Sequence, residues 1–306
     1  MRSFFNRPRL LLTLTAAFWG GNMVLGRAIV GVIPPVSLAC LRWTLASLIF
    51  LPFAWPYLRK DADEIWRNRL IILFLGFIGP ACYNTLSYLG LVSTEALNGL
   101  VLSAAGPMFI AVTAWGIFGD RLDAAQLAGM ATGFAGVILV VAKGDLLSLA
   151  AFKFNSGDIL VLAGMTAWSV YTAFLRKRPP ISWQSYNFVT YAIAAIANIP
   201  AAFAEHALGY TMSTNWVTAA AIFYVAIFPS VIAYVFYNRA VELLGPAPAG
   251  LYLFLIPVFG ALLAMPLLGE KPRLFHAAGF ALIIAGVLMG SRRSAAVRLP
   301  AEETPD

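Results

Sequence analysis

Charge is what this 306-residue sequence has least of: 21 Lys and Arg with 14 Asp and Glu make up 11% of the chain, under half the share of about 25% usual in a soluble domain. A water-soluble globule needs a charged skin, and a chain that is 60% hydrophobic has too little polar side chain to make one. Soluble enzymes are therefore excluded. Histidine is almost missing as well, with His206 and His276 the two copies. Neither G-x-S-x-G nor H-E-x-x-H occurs, so a hydrolase or zinc protease inside the membrane would lack its base or its ligands. Cys40 and Cys82 are the two cysteines, both in apolar stretches where a thiol packs as a small side chain. No metal, cofactor or enzymatic activity is expected. Carboxylates are missing from the middle of every apolar stretch: Asp120, Asp123, Asp145, Asp158, Glu205, Glu242 and Glu270 fall at stretch ends or in loops, and Glu95 in a tight turn. Proton-coupled pumps and cation exporters use such a group as their titrating site. A substrate without net positive charge is expected, and the simplest proton antiport is disfavoured.

What the sequence has instead is ten apolar segments, roughly 9–32, 36–58, 70–92, 96–118, 124–143, 157–176, 183–204, 216–238, 247–268 and 273–291. At about 20 residues per crossing these fill the chain and leave no room for an extramembrane domain. Backbone groups unpaired in hydrocarbon are costly, and barrel strands would be half as long and alternating, so the spans are helices and the fold is an all-α integral membrane bundle. The basic N-terminus followed by an apolar run is read as the first membrane helix rather than a cleaved signal, because no small-residue cleavage pattern interrupts it. The net charge of +7 comes from residues at the membrane edges, not from a basic soluble module, so nucleic acid is not a partner. With the N-terminus inside, fifteen Lys and Arg lie on the cytoplasmic side, against Lys143, Lys153, Lys271 and Arg273 outside. Both termini are thus expected in the cytoplasm.

The two halves of the sequence resemble each other. Pro107, Gly119, Gly129 and Gly136 recur 150 residues later as Pro257, Gly269, Gly279 and Gly286, and Asp120–Arg121 recurs as Glu270–Lys271. Trp19, Arg27, Pro80 and Tyr88 recur at an offset of 149 as Trp168, Arg176, Pro229 and Tyr237. Residues 1–145 and 155–293 are read as two five-helix units, with 294–306 as a cytoplasmic tail. Five is odd, so the second unit enters the membrane upside down. Inverted repeats of this kind build secondary transporters, in which two related halves open a midplane site alternately to either side.

Candidate site residues follow from the repeat. Pro80, Pro107, Pro229 and Pro257 fall within spans at equivalent places and predict kinked or broken helices, either for packing or for gating. Around them, Tyr83 with Ser87, Asn84 with Tyr88, and Ser230, Tyr234, Tyr237 and Asn238 share helix faces. Polar groups in lipid turn inward, so these either bond between helices or line a cavity. Trp19 with Asn22, and Trp168 with Tyr171, add one-face pairs deep in the first and sixth spans, with Thr15 a turn earlier; they serve as core or as an indole wall for a ligand. Asn98 and Ser103 are weaker candidates. Arg27 and Arg42, the basic residues inside spans, are placed near the outer ends of the first two helices. There they snorkel to the interface or capture a substrate carboxylate at the outer mouth. No central Lys or Arg is found, which counts against sugar phosphates and nucleotide sugars.

Two units opening with a tryptophan segment (AAFWGGN at 16–22, TAWSVY at 166–171) and closing with G-[DE]-[RK] before a glycine-rich helix that carries AGV (135–137 and 285–287) resemble the EamA type of the drug/metabolite transporter superfamily, from about residue 10 to 292. Within it the chain looks most like the YddG-type branch of aromatic amino acid exporters. The resemblance implies ten helices in an inverted repeat, export of small neutral metabolites such as aromatic or large neutral amino acids from the bacterial inner membrane, and roles for Trp19 and Trp168 with the kinked helices and their tyrosines. The second unit lacks the W-G-x-N of the first. The partners expected are an amino-acid substrate and membrane lipid, with the protein a monomer or weak homo-oligomer; another substrate class of the superfamily, or a membrane sensor that moves nothing, stays open.

Overall fold

The structure, a computed structural model, describes residues 2–29, 31–94, 102–145, 147, 149, 153–268 and 273–291. Ten long helices follow one another among these residues: α1 (Pro8–Ala28), α2 (Pro35–Lys60), α3 (Arg69–Ser93), α4 (Gly106–Phe118), α5 (Ala124–Val141), α6 (Ser156–Phe174), α7 (Trp183–Ala207), α8 (Trp216–Leu244), α9 (Pro246–Leu268) and α10 (Leu274–Gly290). Seven are long and apolar enough to cross a membrane by length and composition; α4 and α10 are shorter apolar helices. The 21-residue α1 carries Arg9 and Arg27 at its ends. α8 runs six residues past the expected 216–238, because Arg239 and Glu242 extend it into the polar edge.

Local sequence explains the helix starts. Pro8 and Pro35 open α1 and α2, where a missing N–H costs nothing. Asp123 and Gln126 cap α5 reciprocally, at 2.7 and 3.0 Å, and Asn155 with Asp158 does the same for α6, each pair satisfying two otherwise orphaned groups. Glu205, at the end of α7, accepts from Val36 N and Ser37 N at 3.0 and 2.7 Å, neutralising the positive start of α2. Gly119 ends α4 at φ +72°, a conformation that favours glycine.

The glycines reveal how the halves meet. A Cβ on Gly129 would stand 2.6 Å from the Gly286 carbonyl, and one on Gly136 would stand 2.7 Å from the Gly279 carbonyl. Residue numbers rise along α5 as they fall along α10, so the two helices are antiparallel. They are also equivalent, since 129 corresponds to 279 and 136 to 286. Equivalent helices crossing antiparallel about a shared centre require a two-fold axis across the helices, so the two repeats are inverted. The same axis pairs α2 with α7, where Trp43 stacks on Tyr191 at 5.3 Å. It also maps α1 against α8 and α9 onto α6 against α3 and α4. In lipid, apolar burial does not drive helices together, so close backbone approach through such small residues does.

Breaks occur at matching places. α3 winds as a π-helix over Phe77–Tyr83 and α8 over Ala226–Ile232, around Pro80 and Pro229. α4 begins after a turn at Ala105, and α9 passes through a 3-10 segment, Tyr252–Phe254, just before Pro257.

Candidate functional site

The broken helices surround a cavity of about 150 Å³ between the two repeats. α1 contributes Trp19 and Asn22; α3 contributes Tyr83, Asn84, Ser87 and Tyr88; α6 contributes Trp168 and α8 Tyr234. Ser103, Pro107 and Pro257 complete the wall with Met23, Met165 and Phe254. The rings form one cluster: Trp19 meets Trp168 edge-on at 5.3 Å, and Trp168 lies 4.9 Å from Tyr83. Such offset and edge geometries suit the ring quadrupoles. The Ser87 hydroxyl is buried with no hydrogen-bond partner among the described residues.

Away from the start of α1 and the end of α10 the cavity continues, through Asn22, Met23, Tyr88 and Pro257, into a vestibule of about 1130 Å³. Its rim is made by the helix ends and loops at Ile33, Thr94, Lys143, Tyr210 and Arg273. The opposite end is closed. Phe4 and Phe5 pack on Phe236, and Phe5 also meets Trp183. Arg239 bonds Asn6 at 2.9 Å and pairs with Glu242 at 3.1 Å. Arg178 reaches the same carboxylate at 3.3 Å, and Arg176 pairs with Asp120.

Tyr171, Tyr237 and Asn238 lie outside the cavity lining. They belong to this closed half: the Tyr171 hydroxyl donates to Asn238 Oδ1 at 2.8 Å, Asn238 donates to Asn187 Oδ1 at 3.0 Å, and the Tyr237 hydroxyl bonds Thr172 at 3.1 Å. Pro80 and Pro229 are buried behind the cavity rather than lining it. Arg27 has no described side chain, and Asn98, Glu95 and Glu270 lie outside the described residues.

Arg42 requires a correction. It does not snorkel to the outer interface: it is 1% exposed and forms part of the cavity wall. The reason is the face it occupies. Ala39, Arg42, Trp43, Ala46 and Phe50 follow the i, i+3, i+4, i+7 pattern on the side of α2 that is buried in the bundle, so the side chain has no route to the lipid edge. Its Nε donates to Ser230 Oγ at 2.7 Å, Nη1 to Asn84 Oδ1 at 2.9 Å and Tyr88 Oη at 2.7 Å, and Nη2 to the Pro229 carbonyl at 3.3 Å. The proline break makes this possible. Pro229 has no N–H, so the Val225 carbonyl takes its donor from Ser230 Oγ at 2.6 Å, and the Pro229 carbonyl, inside the π-helical break, accepts from both Arg42 Nη2 and Trp19 Nε1, the latter at 2.9 Å. In α3 the Pro80 carbonyl accepts from Asn84 Nδ2 at 3.0 Å. A central Arg therefore exists, and anionic substrates are no longer disfavoured for want of one.

Among the described residues no group of three or more His, Cys, Asp or Glu could hold a metal ion. The arrangement offers binding: aromatic walls, amides and hydroxyls, and one buried cation.

The EamA-like transporter family model matches the chain twice, over residues 7–142 and 155–292. A protein of Archaeoglobus fulgidus named as an uncharacterized transporter is 31% identical over 93% of this chain and 97% of its own length. Bacillus subtilis YyaM, also named a transporter, is 26% identical over 97% and 96%. A probable terminal-alkyne amino-acid exporter of Streptantibioticus cattleyicolor is 26% identical over 92% and 93%. One solved crystal structure superposes with a TM-score of 0.72 over 92% of this chain and 95% of its own, at 19% identity, which speaks to the fold alone.

Proposed function

The chain belongs to the EamA-like transporter family, and from that premise we propose that it is a secondary transporter exporting small neutral metabolites, aromatic or large neutral amino acids above all, across a bacterial inner membrane by alternating access. On this reading residues 1–145 and 155–293 are the two repeats, the termini and the tail 294–306 face the cytoplasm, and the protein works as a monomer or weak homo-oligomer.

The observation that carries the reading is the ring-lined cavity at the junction of two inverted repeats, open through a vestibule at one end and sealed at the other. An outward-open exporter has this shape after release. Trp19, Tyr83, Trp168 and Tyr234 supply faces and edges for a planar or large apolar side chain. Asn22 and Ser87 supply the hydrogen bonds that a zwitterion needs once stripped of water. Among the described residues no carboxylate lines the cavity, so movement down the substrate's own gradient is the expected mode. The amino-acid exporter among the relatives points to the same substrate class.

Purified protein in liposomes, given labelled Trp, Phe, Met, Thr and a sugar phosphate with and without a pH gradient, tests the proposal. Flux of Trp and Phe that ignores the pH gradient is expected. Flux of the sugar phosphate alone would overturn the substrate, and no flux of any probe would overturn transport itself.

A further inference from the structure

The buried guanidinium of Arg42 has only neutral partners among the described residues. Its four hydrogen bonds go to a serine hydroxyl, an amide oxygen, a phenol and a backbone carbonyl, and no carboxylate stands among them; its further contact is the ring of Trp43, 4.9 Å away. Dipoles of this kind satisfy N–H groups but do not cancel the charge, and an uncancelled charge deep in a membrane bundle is retained where function uses it. Five N–H groups against four bonds leave one donor on Nη2. Tyr88, one of the four acceptors, lines both the cavity and the vestibule, so its hydroxyl can yield its place to an anion arriving from the open end. Ser87, one turn from Asn84, adds the buried unpartnered hydroxyl.

We propose that Arg42 is the carboxylate-binding residue of the transport site, so that every good substrate carries a carboxylate beside its ring or large apolar group. This deepens the amino-acid reading and rests on it. A planar fork suits a carboxylate. A single cation in a small, largely apolar chamber matches one negative charge, whereas a phosphate dianion would remain half-neutralised. Asn84 and Ser230 act as positioning residues that aim the guanidinium.

The test is binding to full-length protein in lipid nanodiscs, measured by calorimetry with four probes: tryptophan, indole-3-propionate, tryptophanamide and tryptamine. Tryptophan and indole-3-propionate are expected to bind about 10- to 100-fold more tightly than the two probes without a carboxylate, the span that one charge-assisted contact supports. Arg42→Gln should erase that preference without weakening tryptamine, and Arg42→Lys should keep part of it. Equal binding of all four probes to the wild type overturns the proposal, as does a preference that survives in Arg42→Gln. If that variant does not fold, the wild-type series and Arg42→Lys decide. Failure of the two readings is distinguishable. Carboxylate-dependent binding with no amino-acid flux in liposomes removes the substrate assignment and keeps Arg42 as an anion site. Amino-acid flux inhibited equally by tryptamine and indole-3-propionate does the reverse.

Discussion

Tyr88 and Tyr237 stand at the same place in the two repeats, 149 residues apart, each eight residues beyond the proline of a π-helix. Their surroundings differ. Tyr88 is partly exposed, at the mouth between cavity and vestibule, and accepts from Arg42; Tyr237 is 0% exposed and bonded to Thr172 inside the closed half. Because the repeats are inverted, the stretch after Pro80 runs toward the open face and the stretch after Pro229 toward the sealed one. Residues equivalent in sequence are therefore inequivalent in state, and on the alternating-access reading the opposite state exchanges their environments. The helix pair α5–α10, by contrast, is symmetric in both sequence and packing, and is the part that has no reason to change.

The largest effect should come from breaking that symmetric pair. A Cβ at Gly286 would lie 2.5 Å from Gly133 N, and at Gly136 it would lie 2.7 Å from the Gly279 carbonyl, so neither helix can yield without moving backbone. Gly286→Val and its counterpart Gly136→Val should both abolish the monodisperse detergent-solubilised protein, well beyond the roughly 1–3 kcal/mol of ordinary overpacking. A mild effect at one site and a severe one at the other would mean that the seam is not a two-fold.

Next comes the tyrosine pair itself. Tyr237→Ala empties a fully packed site and should cost about 3–5 kcal/mol, as large aromatic truncations in cores do. Tyr88→Ala opens onto the vestibule and should cost less, about 1.5–3 kcal/mol, the lost hydrogen bond from the charged Arg42. Thermal unfolding in one detergent gives the comparison, and equal shifts would contradict the difference in burial. Accessibility sharpens the same contrast: with Cys40 and Cys82 replaced by alanine, Tyr88→Cys should react quickly with a water-soluble maleimide and Thr172→Cys only slowly, at the rate set by opening of the closed half.

What the sequence made legible was whatever depends on length and composition. Lipid forces apolar runs of about 20 residues into helices, so ten segments could be counted, and Pro80 and Pro229 marked where α3 and α8 break. Position along a helix, however, does not say which way a side chain points. Arg42 lies seven residues into α2, which suggested the interface; its face, shared with Ala39, Trp43 and Ala46, decided otherwise, and that periodicity was available in the sequence. The separation of Tyr171, Tyr237 and Asn238 from the cavity was not. On the alternating-access reading it depends on which half is closed, and inverted copies of one sequence pattern carry no mark of that.

The smallest expected effect concerns what keeps the closed half closed. Two kinds of contact hold it: the Phe4, Phe5, Phe236 and Trp183 rings, and the polar clasp of Arg239 on Asn6 and the Phe5 carbonyl. The Arg239 side chain is 34% exposed, and exposed pairs contribute only about 0.2–1 kcal/mol. Arg239→Ala should therefore raise the population open toward the termini by about 1.4- to 5-fold. Thr172→Cys, beside Tyr237, reads that population directly, since its labelling is limited by how often the seal opens. In the double variant its labelling rate should rise by the same factor, while Phe5→Ala, which removes partly buried ring contacts to Phe4, Phe236 and Trp183, should raise it further. An unchanged rate in Arg239→Ala would assign the seal to the aromatic rings alone. A rate unchanged by Phe5→Ala but raised by Arg239→Ala would assign it to the clasp.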